Sequence, residues 1–216
     1  MPSNPEDPFA PQPTRRLPRC PVAELSGYWD EPPTTEVSLV SPSLWDEPHI
    51  LDLCPLAWTP KHLVTGGQTG VDRALLDWTL EHGIRHRGWC PRGRLAEDGP
   101  LPQEYRLRQT STAEYSERTR LNVRDSDATL ILNEGPMEGG TWLTLEFAES
   151  LQRPVQVLQL DDPTIDAPRA ILDWLQQGHF ASVNVAGPRE SSRPGIYQRV
   201  FQLLDECATL ALNEHH

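Results

Sequence analysis

The 216-residue chain predicts a Rossmann-like three-layer α/β fold with a mainly parallel sheet, preceded by a proline-rich N-terminal extension. Three observations predict it. From residue 62 onward, short apolar runs alternate with segments of helical period, the sequence mark of βαβ crossovers. The connections after several of those runs carry clustered glycines, as tight strand-to-helix turns require. Ahead of residue 61 the texture differs: residues 1–60 hold 13 of the 22 prolines and nine acidic residues against three arginines. That composition disfavours helices and a packed core. The chain therefore divides into an acidic, partly disordered extension (1–60) and a Rossmann-like domain (61–216).

Within the extension, Glu36–Val40 and His49–Leu53 read as short strands or packing arms. His62-Leu63-Val64-Thr65 is a buried strand stopped by Gly66-Gly67. The helix from Val71 to His82 places Val71, Ala74, Leu75 and Trp78 on one face, with Gly83 as its stop. His86 to Cys90 reads as a second strand, Pro91 to Pro102 as loop, and Ala113 to Arg124 as helix. Ala128 to Leu132 is the clearest strand. Thr141 to Leu151 is a helix expected to bury Leu143, Phe147 and Leu151, which recur every fourth residue. A strand over Val155–Leu160, a helix over Asp166–Gln177 and a strand over Ser182–Val185 follow. The last helix, Ile196 to Leu212, packs Ile196, Val200, Leu203, Leu204 and Cys207.

Composition excludes several classes. A formal charge of −12 argues against general attraction to nucleic acid or anionic membrane. No apolar run reaches the ~18 residues of a membrane span, and no secretory leader opens the chain. Cys20, Cys54, Cys90 and Cys207 are far apart with no CxxC pair, so a reducing cytoplasm is the expected compartment and a zinc ribbon is not expected. No HExxH, GxSxG or Cys/His cluster appears, and no metal site is assigned.

In open α/β sheets ligands sit at the carboxyl ends of strands, and four connections are expected there. The first is Gly66-Gly67-Gln68-Thr69-Gly70-Val71-Asp72-Arg73. Its glycines permit close approach of a ligand to backbone N–H groups at a helix start, and Arg73 adds charge. On this reading Gly67→Val removes binding and spares the fold. The other reading is a tight turn with Thr69 as a helix cap. The second connection is Gly139-Gly140-Thr141-Trp142-Leu143-Thr144-Leu145-Glu146, again glycines and hydroxyls at a helix start; a Thr N-cap is its alternative. The third, Asn184 to Ser191, offers Gly187, Arg189 and Ser191 to an oxyanion, unless Arg189 pairs with a carboxylate. The fourth, Gly88 to Arg94, offers Arg92 and Arg94, with Cys90 reading as core rather than metal ligand. On helix 113–124, Tyr115, Arg118 and Asn122 share a face. An arginine buried in an acidic protein needs an anionic partner, either a carboxylate or a ligand. The arginines 73, 92, 94, 118 and 189 are expected to converge on one anion.

These motifs together resemble the molybdenum cofactor carrier family, a branch of the Rossmann-like SLOG superfamily. The resemblance rests on Gly66 to Arg73, Gly88-Trp89-Cys90-Pro91 with Glu97-Asp98-Gly99, and Tyr115 with Arg118-Thr119 and Asn122-Val123. It continues through Asp125 to Ile131, Gly139-Gly140-Thr141 with Leu143-Thr144, and Asn184 to Ser191 with Pro194-Gly195-Ile196-Tyr197, in family order over roughly residues 62–205. It implies a homo-oligomer that binds the molybdenum cofactor, a pyranopterin with a terminal phosphate, and hands it to a molybdoenzyme without chemistry on it. It also implies that Gly66–Arg73 and Gly139–Thr144 cradle the anion, with Arg118, Asn122 and Arg189 near the ligand. The long extension departs from the family, whose members usually begin almost at the first strand.

Two alternatives stand beside it. The Lonely Guy phosphoribohydrolases, in the same superfamily, carry Gly-Gly-x-Gly-Thr-x-x-Glu. Glu146 lies seven residues after Gly139, which would make Glu146 and Arg118 catalytic on a nucleoside monophosphate. However, Trp142 and Leu143 replace the x and the second Gly, and the Thr is displaced to 144. The third reading is a sensor of a nucleotide-derived ligand, which needs only the same phosphate cradle.

Overall fold

The computed structural model describes residues 60–214, so the elements expected within 1–59, and Cys20 and Cys54, lie outside the described residues. The elements run β1 (His62–Val64), α1 (Val71–Glu81), β2 (His86–Arg87), β3 (Trp89–Cys90), β4 (Leu95–Ala96), β5 (Gly99–Pro100) and β6 (Arg108–Gln109). They continue with α2 (Tyr115–Arg124), β7 (Ala128–Asn133), α3 (Gly139–Ser150), β8 (Val155–Gln159), α4 (Ala167–Gly178), β9 (Ser182–Ala186) and α5 (Ile196–Glu214). The five long-range strands form one sheet in the order β2-β1-β9-β7-β8, and every pairing in it is parallel. This is the Rossmann-like α/β architecture that the alternation predicted.

The centre of the sheet explains its most apolar segments. Every residue of β7 and β9 is buried, because both strands are flanked on either side and covered on both faces. Their register sets Ala128 beside Val183 and Ile131 beside Ala186. On one face α1 and α4 pack against α5; on the other α2 packs against α3. Helix α1 buries Val71, Ala74, Leu75 and Trp78 as expected, and the Trp78 indole N–H donates to Asp205 on α5 at 2.9 Å. Helix α4 starts on a side-chain cap, the Asp166 carboxylate accepting the Arg169 N–H at 3.1 Å.

Two expectations require correction. The segment His86 to Cys90 is not one strand. β2 pairs with β1 at the sheet edge, whereas β3 pairs with β6 in a separate two-stranded sheet. The Asn122 side chain draws β3 away: its Oδ1 accepts the Trp89 N–H at 2.7 Å and its Nδ2 donates to the Trp89 carbonyl at 3.1 Å. The stretch expected as loop then folds over α1 on a small core of Leu76, Cys90, Leu101, Tyr105 and Leu107. The second correction concerns α3. The residues it turns inward are Thr141, Thr144 and Ala148, while Leu143, Phe147 and Leu151 are only partly buried.

Candidate functional site

Adjacent parallel strands whose following helices lie on opposite faces leave a crevice at their carboxyl ends. β7 and β9 are such a pair, leading to α3 and α5. At that point the structure has a cavity of about 310 Å³. The loop after β1 contributes Gln68 and Asp72 to its wall, and α2 contributes Arg118 and Thr119. β7 and the chain beyond it contribute Asn133, Pro136, Glu138, Gly139, Gly140, Thr141 and Thr144. The chain leaving β9 contributes Ala186, Gly187, Pro188, Arg189, Ser191, Ser192 and Arg193.

The loop after β1 is built around a buried carboxylate. Asp72 accepts the Gln68 backbone N–H at 3.1 Å and pairs with the Arg118 guanidinium at 3.1 Å. Gly66 makes room for that guanidinium, since a Cβ there would stand 1.7 Å from Arg118 Nη1. Gly70 lets the loop meet the chain after β9: its φ is +73°, and a Cβ would lie 2.4 Å from the Pro188 carbonyl. That carbonyl accepts the Val71 N–H at 3.2 Å, tying the start of α1 to the third connection. Gly67 faces elsewhere, with Leu101 and Leu107 each 2.7 Å from its would-be Cβ. Gly67→Val therefore perturbs packing first, and is not the clean test of binding that the sequence suggested.

At the start of α3 the N-cap residue, Glu138, makes no side-chain cap. The first N–H groups of a helix have no partner within it, and their dipoles favour an anion. Gly139 and Gly140 leave these groups uncovered, because a Cβ at either would meet nothing within 4 Å. The Thr144 hydroxyl donates back to the Gly140 carbonyl at 2.8 Å, so it braces the turn.

The third connection is held by Glu97, between β4 and β5, which was not among the expected site residues. Its carboxylate accepts the Ser191 hydroxyl at 2.6 Å, the Ser191 N–H at 3.3 Å and the Thr69 hydroxyl, and lies 3.7 Å from Arg189. Its backbone N–H donates to the Gln68 side chain at 2.9 Å. Partial burial alone would raise this carboxyl; the hydrogen bonds from Ser191 and Thr69 and the Arg189 charge prevail and hold it below the usual range. Thr69 further accepts the Glu190 N–H at 3.2 Å, so it joins two loops and does not cap α1. Glu190 takes the Tyr197 N–H at 3.0 Å at the start of α5.

The five arginines do not converge. Arg118 and Arg189 line the cavity, whereas Arg73 forms a bidentate pair with Asp98 at 2.9 and 3.0 Å and lies over the Tyr105 ring. Arg94 is buried beneath the 94–107 segment, donating to the carbonyls of Leu101, Pro102, Tyr105 and Leu107. Arg92 is exposed and is not part of the cavity wall. Asn122 has both ends of its amide engaged with Trp89. Thus Gln68, Asp72, Arg118, Gly139, Gly140, Thr141, Thr144, Gly187, Arg189 and Ser191 stand together at the cavity, while Gly66, Gly67, Thr69, Gly70, Arg73 and Asn122 support it from outside the wall. Glu146 is exposed and outside the wall. Asn133 and Arg193 are additional lining residues. Arg193 braces the loop after β7 through the carbonyls of Glu134 and Pro136.

Buried polar atoms are nearly always hydrogen-bonded. Three in the residues of this wall are not: Gln68 Nε2, Arg118 Nε and Asn133 Oδ1. Each belongs to a side chain fixed at its other atoms, Gln68 by the N–H groups of Thr69 and Glu97, Arg118 by Asp72, and Asn133 by Gly135 and Gln159. Two unmet donors beside an uncapped helix start and a second arginine suit an oxyanion. Among the described residues, no three His, Cys, Asp or Glu side chains group as a metal site. Cys90 is fully buried in the small core, where burial raises its thiol. No described helix is long and apolar enough to cross a membrane.

Comparison with known proteins bears on both fold and site. Residues 63–208 match the model of the circularly permutated YpsA SLOG family. The crystal structure of a "Putative molybdenum carrier protein" from Syntrophus aciditrophicus SB, at 1.45 Å resolution, is 44% identical with a TM-score of 0.66; the alignment covers 68% of this chain and 94% of that one. No curated protein matches. The family match takes in the loop after β1, α2, the start of α3 and the chain after β9, which are the segments that enclose the cavity, and the chain belongs to the circularly permutated YpsA SLOG family.

Proposed function

We propose that the cavity beside β7 and β9 binds the phosphate of a phosphorylated small molecule, and that the protein holds and releases this ligand without covalent chemistry. The observation that carries the reading is the pair of unmet buried donors, Gln68 Nε2 and Arg118 Nε, in the wall that also holds the uncapped start of α3. A phosphate monoester supplies acceptor oxygens to such donors and a charge to the helix dipole and Arg189. Asn133 Oδ1 is an acceptor, which suits a ligand that also carries an N–H or O–H. The molybdenum cofactor, a phosphorylated pterin, meets both requirements, and the printed name of the Syntrophus protein supports it as the first ligand to test. In this reading residues 61–216 form the binding domain and a molybdoenzyme receives the cargo.

The phosphoribohydrolase reading needs Glu146 at the ligand, and this side chain points to solvent from α3, outside the cavity wall. Native mass spectrometry of the full chain, purified without oxygen and offered molybdenum cofactor, AMP and ADP together, separates these readings. The expected result is selective retention of the cofactor mass. Retention of none of the three, or release of adenine from AMP, overturns the proposal.

A further inference from the structure

Helix α3 is apolar on more sides than its own chain uses. It turns Thr141, Thr144 and Ala148 toward the sheet, all small, and leaves its bulky apolar side chains outside. Trp142 is 50% exposed, and Leu143, Leu145 and Phe147 are only partly covered. A helix that is hydrophobic nearly all round belongs in an interior or an interface, and contiguous exposed apolar surface marks an interaction site. The charges bordering this surface indicate the occupant. Along the outer stripe of α3 stand Glu146 and Glu149, both exposed. Along the outer stripe of α2, its neighbour, stand Arg120 and Arg124, also exposed; Arg124 additionally pairs with Asp125.

We propose that the α2–α3 face docks a second copy of this chain about a twofold axis, with α3 of each copy lying over α2 of the other. A twofold interface sets one patch against itself, so it must be self-complementary. The arrangement satisfies this: the acidic stripe of α3 meets the basic stripe of α2 twice, around a centre of Trp142, Leu143, Leu145 and Phe147. A chain with a net charge of −12 repels its own kind at long range, so a self-docking surface needs both signs in register. The α2–α3 face carries both. A partner of uniformly acidic or basic surface would match only one helix of the pair.

Sedimentation of the full chain and three variants tests this. Wild type is expected to dimerise, and Trp142→Asp, which alters only an exposed side chain, is expected to be monomeric with an unchanged circular dichroism spectrum. Arg120→Glu and Glu146→Lys each place like charges together twice in their own homodimer, and each is expected to weaken it about tenfold. Mixed in equal amounts they restore opposite charges at both contacts, and the heterodimer is expected to form with wild-type affinity. A wild-type protein that stays monomeric at every concentration reached overturns the proposal, as does a dimer indifferent to Trp142→Asp. Failure of the mixed pair to associate better than either variant alone overturns the α3-over-α2 arrangement.

Discussion

His86 shows at the scale of one residue how burial fixes a protonation state. Its Nε2 accepts the Arg106 N–H at 3.1 Å, so its proton sits on Nδ1, 3.0 Å from the Thr79 hydroxyl. That hydroxyl donates in turn to the Leu76 carbonyl at 2.8 Å. Burial, with the Arg106 charge second, lowers the imidazole from 6.5 to about 4. The unfolded chain then binds a proton that the folded one refuses between those values. Stability is therefore full above pH 6.5 and falls as pH drops toward 4, by on the order of 3 kcal/mol. His86→Gln keeps one donor and one acceptor but cannot titrate. Urea unfolding between pH 7 and pH 4 is expected to show a shallower loss for this variant, and an identical pH profile would show that His86 is not the group responsible. Arg118 shows the opposite use of burial: it is charged, held by Asp72, and retains an unmet N–H in a residue of the cavity wall. Its importance was legible as an arginine in need of an anion, and the structure supplies both kinds of partner at once, a carboxylate and a place for a ligand.

Among the elements, those with a clear period were readable and those held by distant contacts were not. β7 and β9 announce themselves as apolar runs because both of their faces are covered. The 88–110 segment does not, because its strands are two residues long and its order comes from Arg94 donating to four carbonyls and from Asn122 holding Trp89. Glu97 was missed as a site residue for the same reason: its bond to Ser191 spans 94 residues of sequence, which no local spacing reveals. Glu97→Gln keeps the shape but weakens the charge-assisted bonds to Thr69 and both Ser191 groups. A cost of about 1 kcal/mol is expected, the site being open to solvent. Hydrogen exchange at the Ser191 amide is expected to quicken about fivefold under conditions of local opening. Unchanged exchange would mean that the loop after β9 stands without this hairpin. The face of α3 was misread because Leu143, Phe147 and Leu151 have helical spacing, and periodicity alone cannot tell a face that meets its own sheet from one that meets another molecule.

The whole molecule places these parts by topology. Read cyclically from β7, the strands β7, β8, β9, β1 and β2 take the sheet order 2-1-3-4-5, the doubly wound arrangement in which the first and third strands border the crevice. The chain as written starts partway around that cycle, so its first glycine loop follows a strand beside the crevice while the second leaves the strand at its edge. This explains why both glycine-rich connections were legible as binding loops, yet the uncovered helix start belongs to the second. Gly140 is the sharpest probe of the central claim, that a phosphate sits at the start of α3. A side chain at this position meets nothing within 4 Å of its Cβ, so Gly140→Val is expected to fold with a melting temperature close to wild type. Calorimetric titration of this variant with the molybdenum cofactor, beside wild type, is the decisive measurement. The account predicts binding to wild type and at least tenfold weaker binding to the variant, about 1.4 kcal/mol or more. Equal affinity in the two proteins would contradict it and place the ligand elsewhere.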